Sequence, residues 1–201
     1  MLKKVVVASE NKGKIKEFDQ LLKLWQIQLL SQSAFNVPEV EENGYSFIEN
    51  ALLKAKNCAY YTQLPVIADD SGLCIPSLSG RPGILSARYS GNHGNDQQNI
   101  IKVLDEMSGM NFSDRKAYFY CTIVFLINST DSEPIIANGR LNGYIHNKIS
   151  GKGGFGYDGI FYLPHYKSTL AALNTQTKNI ISHRARAVLN LQQMLLHRYH
   201  K

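Results

Sequence analysis

An apolar run, Leu64-Pro65-Val66-Ile67-Ala68, passes directly into Asp69-Asp70-Ser71-Gly72-Leu73, and no other stretch limits the possible folds of this chain as much. A short apolar run of this kind reads as a buried strand, so two acids, a hydroxyl and a glycine are presented at its end. Side chains alternate faces along a strand, which predicts Asp69 and Asp70 on opposite sides with one of them facing a cleft. A carboxylate so placed suits a single oxygen-liganded Mg2+. The plainer account of Asp-Asp-Ser-Gly is a solvated turn, since these residues favour turns anyway.

Composition narrows the alternatives. A chain of 201 residues can bury a full core, and one folding unit over 1–201, as one domain or two tightly joined lobes, is the simplest expectation. Hydrophobic residues make up 44% and charged residues 19%, with no repeat and no low-complexity tract, so extended disorder is not expected. The run Val5-Val6-Val7-Ala8 is too short for a signal segment, and no stretch approaches the roughly 18 apolar residues of a membrane span. A cytoplasmic protein without a membrane partner is expected. Cys58, Cys74 and Cys121 are odd in number and widely spaced, and read as reduced thiols. The net charge of +6 suits a polyanion or a nucleoside triphosphate. Lys and Arg are scattered rather than gathered in one run, which speaks against a nucleic-acid partner.

Hydrophobic spacing organises the rest. Residues 4–8 read as a buried strand, and Ile15, Phe18, Leu21 or Leu22, and Trp25 recur at helical spacing. Between them lies Ser9-Glu10-Asn11-Lys12-Gly13-Lys14, a polar loop opening a helix, where free N–H groups and two lysines can receive an anion. Ser46-Phe47-Ile48-Glu49 has the form of a capping box, with Ile48, Ala51 or Leu52, Ala55 and Ala59 forming one stripe behind it. Glu49 is therefore read as a cap. The acids Glu39, Glu41 and Glu42 precede the turn signal Asn43-Gly44. Asp96 is a candidate cap for a helix bearing Ile100 and Met107. Residues 117–127, 134–137 and 143–149 read as strands, and an amphipathic helix runs from Ser182 to the end. Strands and helices mix without strict alternation, which favours a mixed α/β sheet.

One motif is a decoy. Gly151-Lys152-Gly153-Gly154-Phe155-Gly156 spells G-x-G-x-x-G, but the aromatics and glycine of residues 157–164 read as turn and strand rather than as the helix a dinucleotide site needs. No P-loop is present. The glycines still matter, because so pliant a loop can lay Phe155 or Tyr157 against a flat base while Asp158 accepts a ring N–H. Lys178 and Ser182-His183-Arg184 add donors at a helix start. The six histidines show no zinc pattern.

In order along the chain stand Ser9-x-Asn11-x-x-Lys14, Glu41-Glu42-x-Gly44-x-Ser46-Phe47-x-Glu49-Asn50-Ala51, Ala68-Asp69-Asp70-Ser71-Gly72-Leu73, Pro82-Gly83-x-x-Ser86-Ala87-Arg88-Tyr89-Ser90-Gly91, Gly153-Gly154-Phe155-Gly156-Tyr157-Asp158 and Ser182-His183-Arg184. Taken together these closely resemble the inosine/xanthosine triphosphate pyrophosphatase family, the Ham1-like enzymes, over essentially the whole chain. The resemblance implies a two-lobed α/β fold with an elongated mixed β-sheet flanked by helices, an active-site cleft between the lobes, and a homodimer. It also implies Mg2+-dependent hydrolysis of ITP, dITP or XTP to the monophosphate and pyrophosphate. Carried over by position, Asp70 is the general base and a metal ligand, with Glu41 the second carboxylate on the metal. The loop Ser9, Glu10, Asn11, Lys12, Gly13 and Lys14, together with Ser71, takes the phosphates. Phe155, Gly156, Tyr157, Asp158, Lys178, His183 and Arg184 take the base, the last three donating toward a 6-oxo group that adenine lacks.

The chain departs from the family at Glu10, where a glycine is usual, and at Gly159, where a proline commonly stands. Glu10 puts a carboxylate beside the expected triphosphate, and a backbone with φ > 0 there would strain it. Two rival classes remain from sequence: a nucleotide-binding module without catalysis, and a basic nucleic-acid-binding protein.

Overall fold

The computed structural model describes residues 3–25 and 27–199. Its elements run β1 (Lys4–Val7), α1 (Lys12–Leu22), β2 (Gln28–Ser31), α2 (Phe47–Thr62), β3 (Val66–Cys74), α3 (Asp96–Glu106), β4 (Lys116–Leu126), β5 (Ile135–Ile145), β6 (Phe161–Leu163), β7 (Ser168–Thr169), α4 (Thr175–Ile181) and α5 (His183–Tyr199), with 3₁₀ turns between them. The strands form one open sheet in the order β2-β1-β3-β4-β5-β6-β7. β1 lies parallel to both β2 and β3, whereas β6 is antiparallel to β5 and β7. The sheet is thus mixed, as the sequence leads one to expect. Among the described residues no helix is long and apolar enough to cross a membrane.

Two compact units divide the chain, the first made of residues 1–70, 121–139 and 184–201, the second of 71–120 and 140–183. Period-two alternation builds the first unit. Val5, Val7 and Ile67 face α1 and α5 through Phe18, Leu22, Ala187 and Leu191, while Val6, Ala8, Val66 and Ala68 face α2 through Ala51, Ala55, Cys58 and Ala59. In the second unit, Leu73, Ile75, Val103, Met107, Phe119, Leu141, Ile145, Ile160 and Phe161 form a separate core. Cys58, Cys74 and Cys121 are free and buried.

Three local expectations give way to the structure. The acids do not follow a strand that stops at Ala68; β3 continues to Cys74 with all but Ser71 buried. Strand geometry persists because the carboxylates are matched by cations rather than turned out to water. The expected strands at 134–137 and 143–149 are one strand, β5. Within it Gly143 marks close packing, since a Cβ there would stand 2.6 Å from the Phe161 ring. The cap of α3 is Asn95, whose side chain accepts from Gln98 N, leaving Asp96 as the first helical residue.

Candidate active site

The alternation of β3 decides where its two acids go. Residues 67 and 69 share the α1 and α5 face, so Asp69 meets Lys14 Nζ at 3.1 Å and Arg184 Nη2 at 3.0 Å. Arg184 Nη1 bonds Glu17 of α1. Residues 66, 68 and 70 share the α2 face, where Asp70 accepts from Asn50 Nδ2 at 3.2 Å and lies 3.5 Å from Lys54 Nζ. Lys54 in turn holds Glu42 Oε1 at 2.9 Å, so one ammonium stands between two carboxylates. Asp69 and Asp70 are both buried, and Arg184 is only 1% exposed. Removing one member of such a buried pair costs about 3–5 kcal/mol, which is why acids and bases occur here in matched sets.

Caps hold this group in register. Asn11 is the N-cap of α1, its Oδ1 accepting from Lys14 N, while its own N–H donates to Ser9 Oγ. Glu10, Asn11 and Lys12 are exposed, and Ser9, Gly13 and Lys14 half-buried. The non-glycine residues with positive φ among those described are Asn36, Gln63, Ser79 and Lys167, so Glu10 carries no left-handed strain. Ser46 caps α2 by accepting from Glu49 N, and Glu49 Oε2 accepts from Tyr45 N, which gives Glu49 the capping role read from sequence. Asn50 bridges two parts of the group, because its Oδ1 takes Gly44 N at 2.8 Å. Gly44 has to be small: a Cβ would lie 2.7 Å from that oxygen. Glu41 is exposed, and it is Glu42 that reaches Lys54.

Electrostatics separate the neighbours. Burial would raise the Asp69 carboxyl, yet Lys14, Arg184 and Lys54 hold it far below the ordinary carboxylate range, a fixed anion. Asp70 moves the other way: burial raises it, Lys54 and Lys14 oppose, and the charges of Glu42 and Asp69 push it further up. Burial alone would lower Lys54, but Asp70, Glu42 and Asp69 outweigh it and raise the ammonium. A raised carboxyl is the more basic one, the property a proton acceptor needs.

A second group occupies the glycine-rich loop of the second unit. Asp158 is buried and its Oδ2 accepts from Phe155 N at 3.1 Å and from Lys178 Nζ at 2.6 Å. Lys178 Nζ also stands 5.0 Å from the Phe155 ring centroid, leaving Phe155 half-buried. Only glycine fits at 154, where φ is 76° and a Cβ would fall 2.1 Å from Asp158 Oδ2. Asp96 Oδ2 accepts from Gly156 N at 2.7 Å, pinning the loop to the start of α3. Tyr157 is buried and spends its hydroxyl on Ser86 O at 2.9 Å, so it anchors the loop from below. His183 is buried against Phe119, the rings 4.7 Å apart and nearly parallel. Ser71 is half-buried in β3.

The structure therefore gathers Asn11, Lys14 and Asp70 in one unit and Phe155, Asp158 and Lys178 in the other. Arg184, expected with the base-side donors, sits between Glu17 and Asp69. Lys54 and Glu17 were not singled out from sequence, and Asn50 stood there only as part of a motif, with no role given. A trace existed for Lys54 and Asn50, a lysine and an asparagine at i, i+4 within the stripe of Ala51, Ala55 and Cys58. Glu17 gives a weaker sign, a lone acid beside the core residue Phe18.

An α/β protein whose sheet carries a buried acid–lysine centre in one unit and a pinned aromatic loop in the other is the class this fold and these residues define. The Ham1 family model matches residues 5–194, and the chain belongs to that family. It is 46% identical over 187 residues to a dITP/XTP pyrophosphatase of Photorhabdus laumondii, covering 93% of this chain and 95% of that one. It is 45% identical over 194 residues to a dITP/XTP pyrophosphatase of Legionella pneumophila, covering 96% and 99%. A HAM1 protein from Coxiella burnetii superposes with a TM-score of 0.89 at 43% identity, over 98% of this chain and 100% of that one. The Staphylococcus aureus Ham1 protein gives 0.85 at 38% identity, with the same coverage.

Proposed function

We propose that this protein hydrolyses the non-canonical purine nucleoside triphosphates ITP, dITP and XTP to the monophosphate and pyrophosphate, clearing deaminated purines from the nucleotide pool. The observation that carries the reading is Asp70: a buried carboxyl made more basic by burial, beside Lys54 and on a strand whose next residue is Ser71. The similar proteins of Photorhabdus laumondii and Legionella pneumophila are dITP/XTP pyrophosphatases.

In this reading Asp70 orients the attacking water and takes its proton, while Lys14, Asn11, the backbone around residues 9–14 and Ser71 hold phosphate oxygens. Little covalent chemistry is asked of the protein. On the base side Phe155 stacks, Asp158 accepts from the ring, and Lys178 and His183 donate toward the 6-oxo group, which disfavours adenine. Gly156 and Tyr157 shape that loop.

A divalent cation, Mg2+ by the chemistry of its donors, completes the account. Among the described residues no cluster of three or more acidic, His or Cys side chains stands ready for a metal. Mg2+ on a triphosphate needs no such cage, since one or two carboxylates plus phosphate oxygens and water suffice. The position of Lys54 between Asp70 and Glu42 supports the fit, because positive charge is already accommodated there by two hard oxygen donors. Asp70 with Glu42, rather than the exposed Glu41, would hold the ion. When bound it neutralises phosphate charge. The working form we infer is a cytoplasmic homodimer, as in the resemblance.

Asp70→Asn tests the assignment. Hydrolysis should fall by roughly 10²–10⁴-fold, the usual yield of a general base, with the thermal midpoint kept. Chelation should silence the native enzyme and Mg2+ restore it. Turnover retained in Asp70→Asn would remove Asp70 as the base.

A further inference from the structure

We propose that Ser86 is a positioning residue that sets the distance between the base-side loop and the Ser71 segment of β3, so that purine recognition is transmitted to the triphosphate; the inference rests on the pyrophosphatase reading above. Its motif, residues 82–91, has no part in the site beyond receiving Tyr157. After Cys74 the chain turns and comes back on itself, Ile75 N donating to Arg81 O at 3.2 Å and Pro82 standing opposite Cys74. The 3₁₀ segment Gly83–Arg88 is thereby returned to β3. There Ser86 Oγ accepts from Leu73 N at 2.9 Å and donates to Gly83 O at 2.6 Å, while Ser86 O accepts from the Tyr157 hydroxyl at 2.9 Å. One buried residue of the second unit thus holds the strand with its side chain and the glycine-rich loop with its backbone.

Neither end of this link has slack. Leu73 and Tyr157 are both buried, so a hydrogen bond lost at either end leaves a polar group without water to replace its partner. Serine suits the place because a hydroxyl accepts and donates at once, which alanine cannot do. The segment itself is held by α3: Asn99 Oδ1 accepts from Ser90 N at 2.7 Å, Asn99 Nδ2 donates to Ala87 O at 3.3 Å, and Lys102 Nζ donates to Tyr89 O at 2.8 Å. Ser71 precedes Leu73 by two residues, about 7 Å along a strand, and Phe155 and Asp158 lie on either side of Tyr157 in the loop. Ser86 therefore stands between the residue assigned to phosphate and those assigned to the base. A nucleotide that engages both gains from its second contact only when their separation matches its own length. Ser86 is not asked to touch substrate.

Ser86→Ala removes the acceptor of the strand and keeps the carbonyl that Tyr157 uses; Tyr157→Phe removes the donor of the loop and keeps the ring. Each full-length variant is read by kcat and KM for dITP and GTP, and by calorimetric binding of inorganic tripolyphosphate, which has no base. We expect kcat/KM for dITP to fall roughly 10–100-fold in either variant, the range expected when bound groups are misplaced by about 1 Å. GTP, which gains less from that loop, should lose far less, so the dITP to GTP ratio narrows. Tripolyphosphate should bind within about two-fold of the native value, because β3 keeps β4 as its neighbour and presents Ser71 as before. Combined in one chain, the two substitutions should do little more than the worse of them, as two cuts in one serial link. A merely structural role would instead weaken dITP, GTP and tripolyphosphate together, in step with lost stability. That uniform loss, unchanged dITP turnover in both variants, or losses that multiply in the double variant would overturn the inference. Should Ser86→Ala fail to fold, Tyr157→Phe alone decides between a narrowed ratio and a uniform loss. A native protein that hydrolyses no dITP at all defeats the proposed function, and the inference with it; an active native protein whose dITP to GTP ratio neither variant moves defeats only the link through Ser86.

Discussion

Asp69 and Asp70 are covalent neighbours with opposite electrostatic fates, and the pleat of one strand accounts for both. The odd-numbered face delivers Asp69 to Lys14 and Arg184, which keep it an anion, and the even-numbered face delivers Asp70 to Lys54 at a longer 3.5 Å, with burial raising its carboxyl. That division was legible in the sequence, because period-two alternation needs no long-range information. The partners were not: Glu17 and Arg184 are 167 residues apart, and no local pattern announces such a pairing. At the same scale Gly154 is the sharpest test of the base-side loop. Gly154→Ala forces a Cβ into Asp158 Oδ2 at an unfavourable φ. KM for dITP should rise by roughly ten-fold, the effect of about 1.4 kcal/mol, with kcat for saturating substrate less affected and tripolyphosphate binding unaltered. A KM equal to that of the native protein would mean Asp158 does not set base affinity.

At the scale of elements, α2 links stability to the site. Its first turn is fixed by the Ser46 and Glu49 caps, and one turn later Asn50 ties Gly44 to Asp70 before Lys54 reaches the same carboxylate. Ser46→Ala should cost about 1 kcal/mol in urea unfolding, as lost N-caps do, and should loosen Asp70 only indirectly, lowering kcat by a small factor. A loss of activity far exceeding the loss of stability would mean that Ser46 itself meets the substrate. The strongly periodic elements, α1, α2, β4 and α5, were readable from spacing. β5 was read only as two separate pieces, 134–137 and 143–149, when it is continuous and Gly143 within it makes room for Phe161. The short α4 and edge strand β2 carry too few apolar residues for periodicity to register. Asp96 shows a related blindness: its side chain was assigned to a helix cap, yet it holds Gly156, 60 residues away.

For the molecule as a whole, the net charge of +6 resides outside this group, since Lys14, Lys54 and Arg184 are outnumbered by Glu17, Glu42, Asp69 and Asp70 within the first unit. Three cations against four carboxylates leave that group one charge short of neutrality, which a divalent cation and a triphosphate would alter together. The central claim is best tested by incubating the pure protein with Mg2+ and equal concentrations of ITP, XTP, GTP and ATP, and resolving monophosphate, diphosphate, pyrophosphate and orthophosphate. The account requires monophosphate and pyrophosphate from ITP and XTP, with GTP and ATP largely spared. Diphosphate and orthophosphate as products, equal turnover of ATP, or no product from any nucleotide would contradict it.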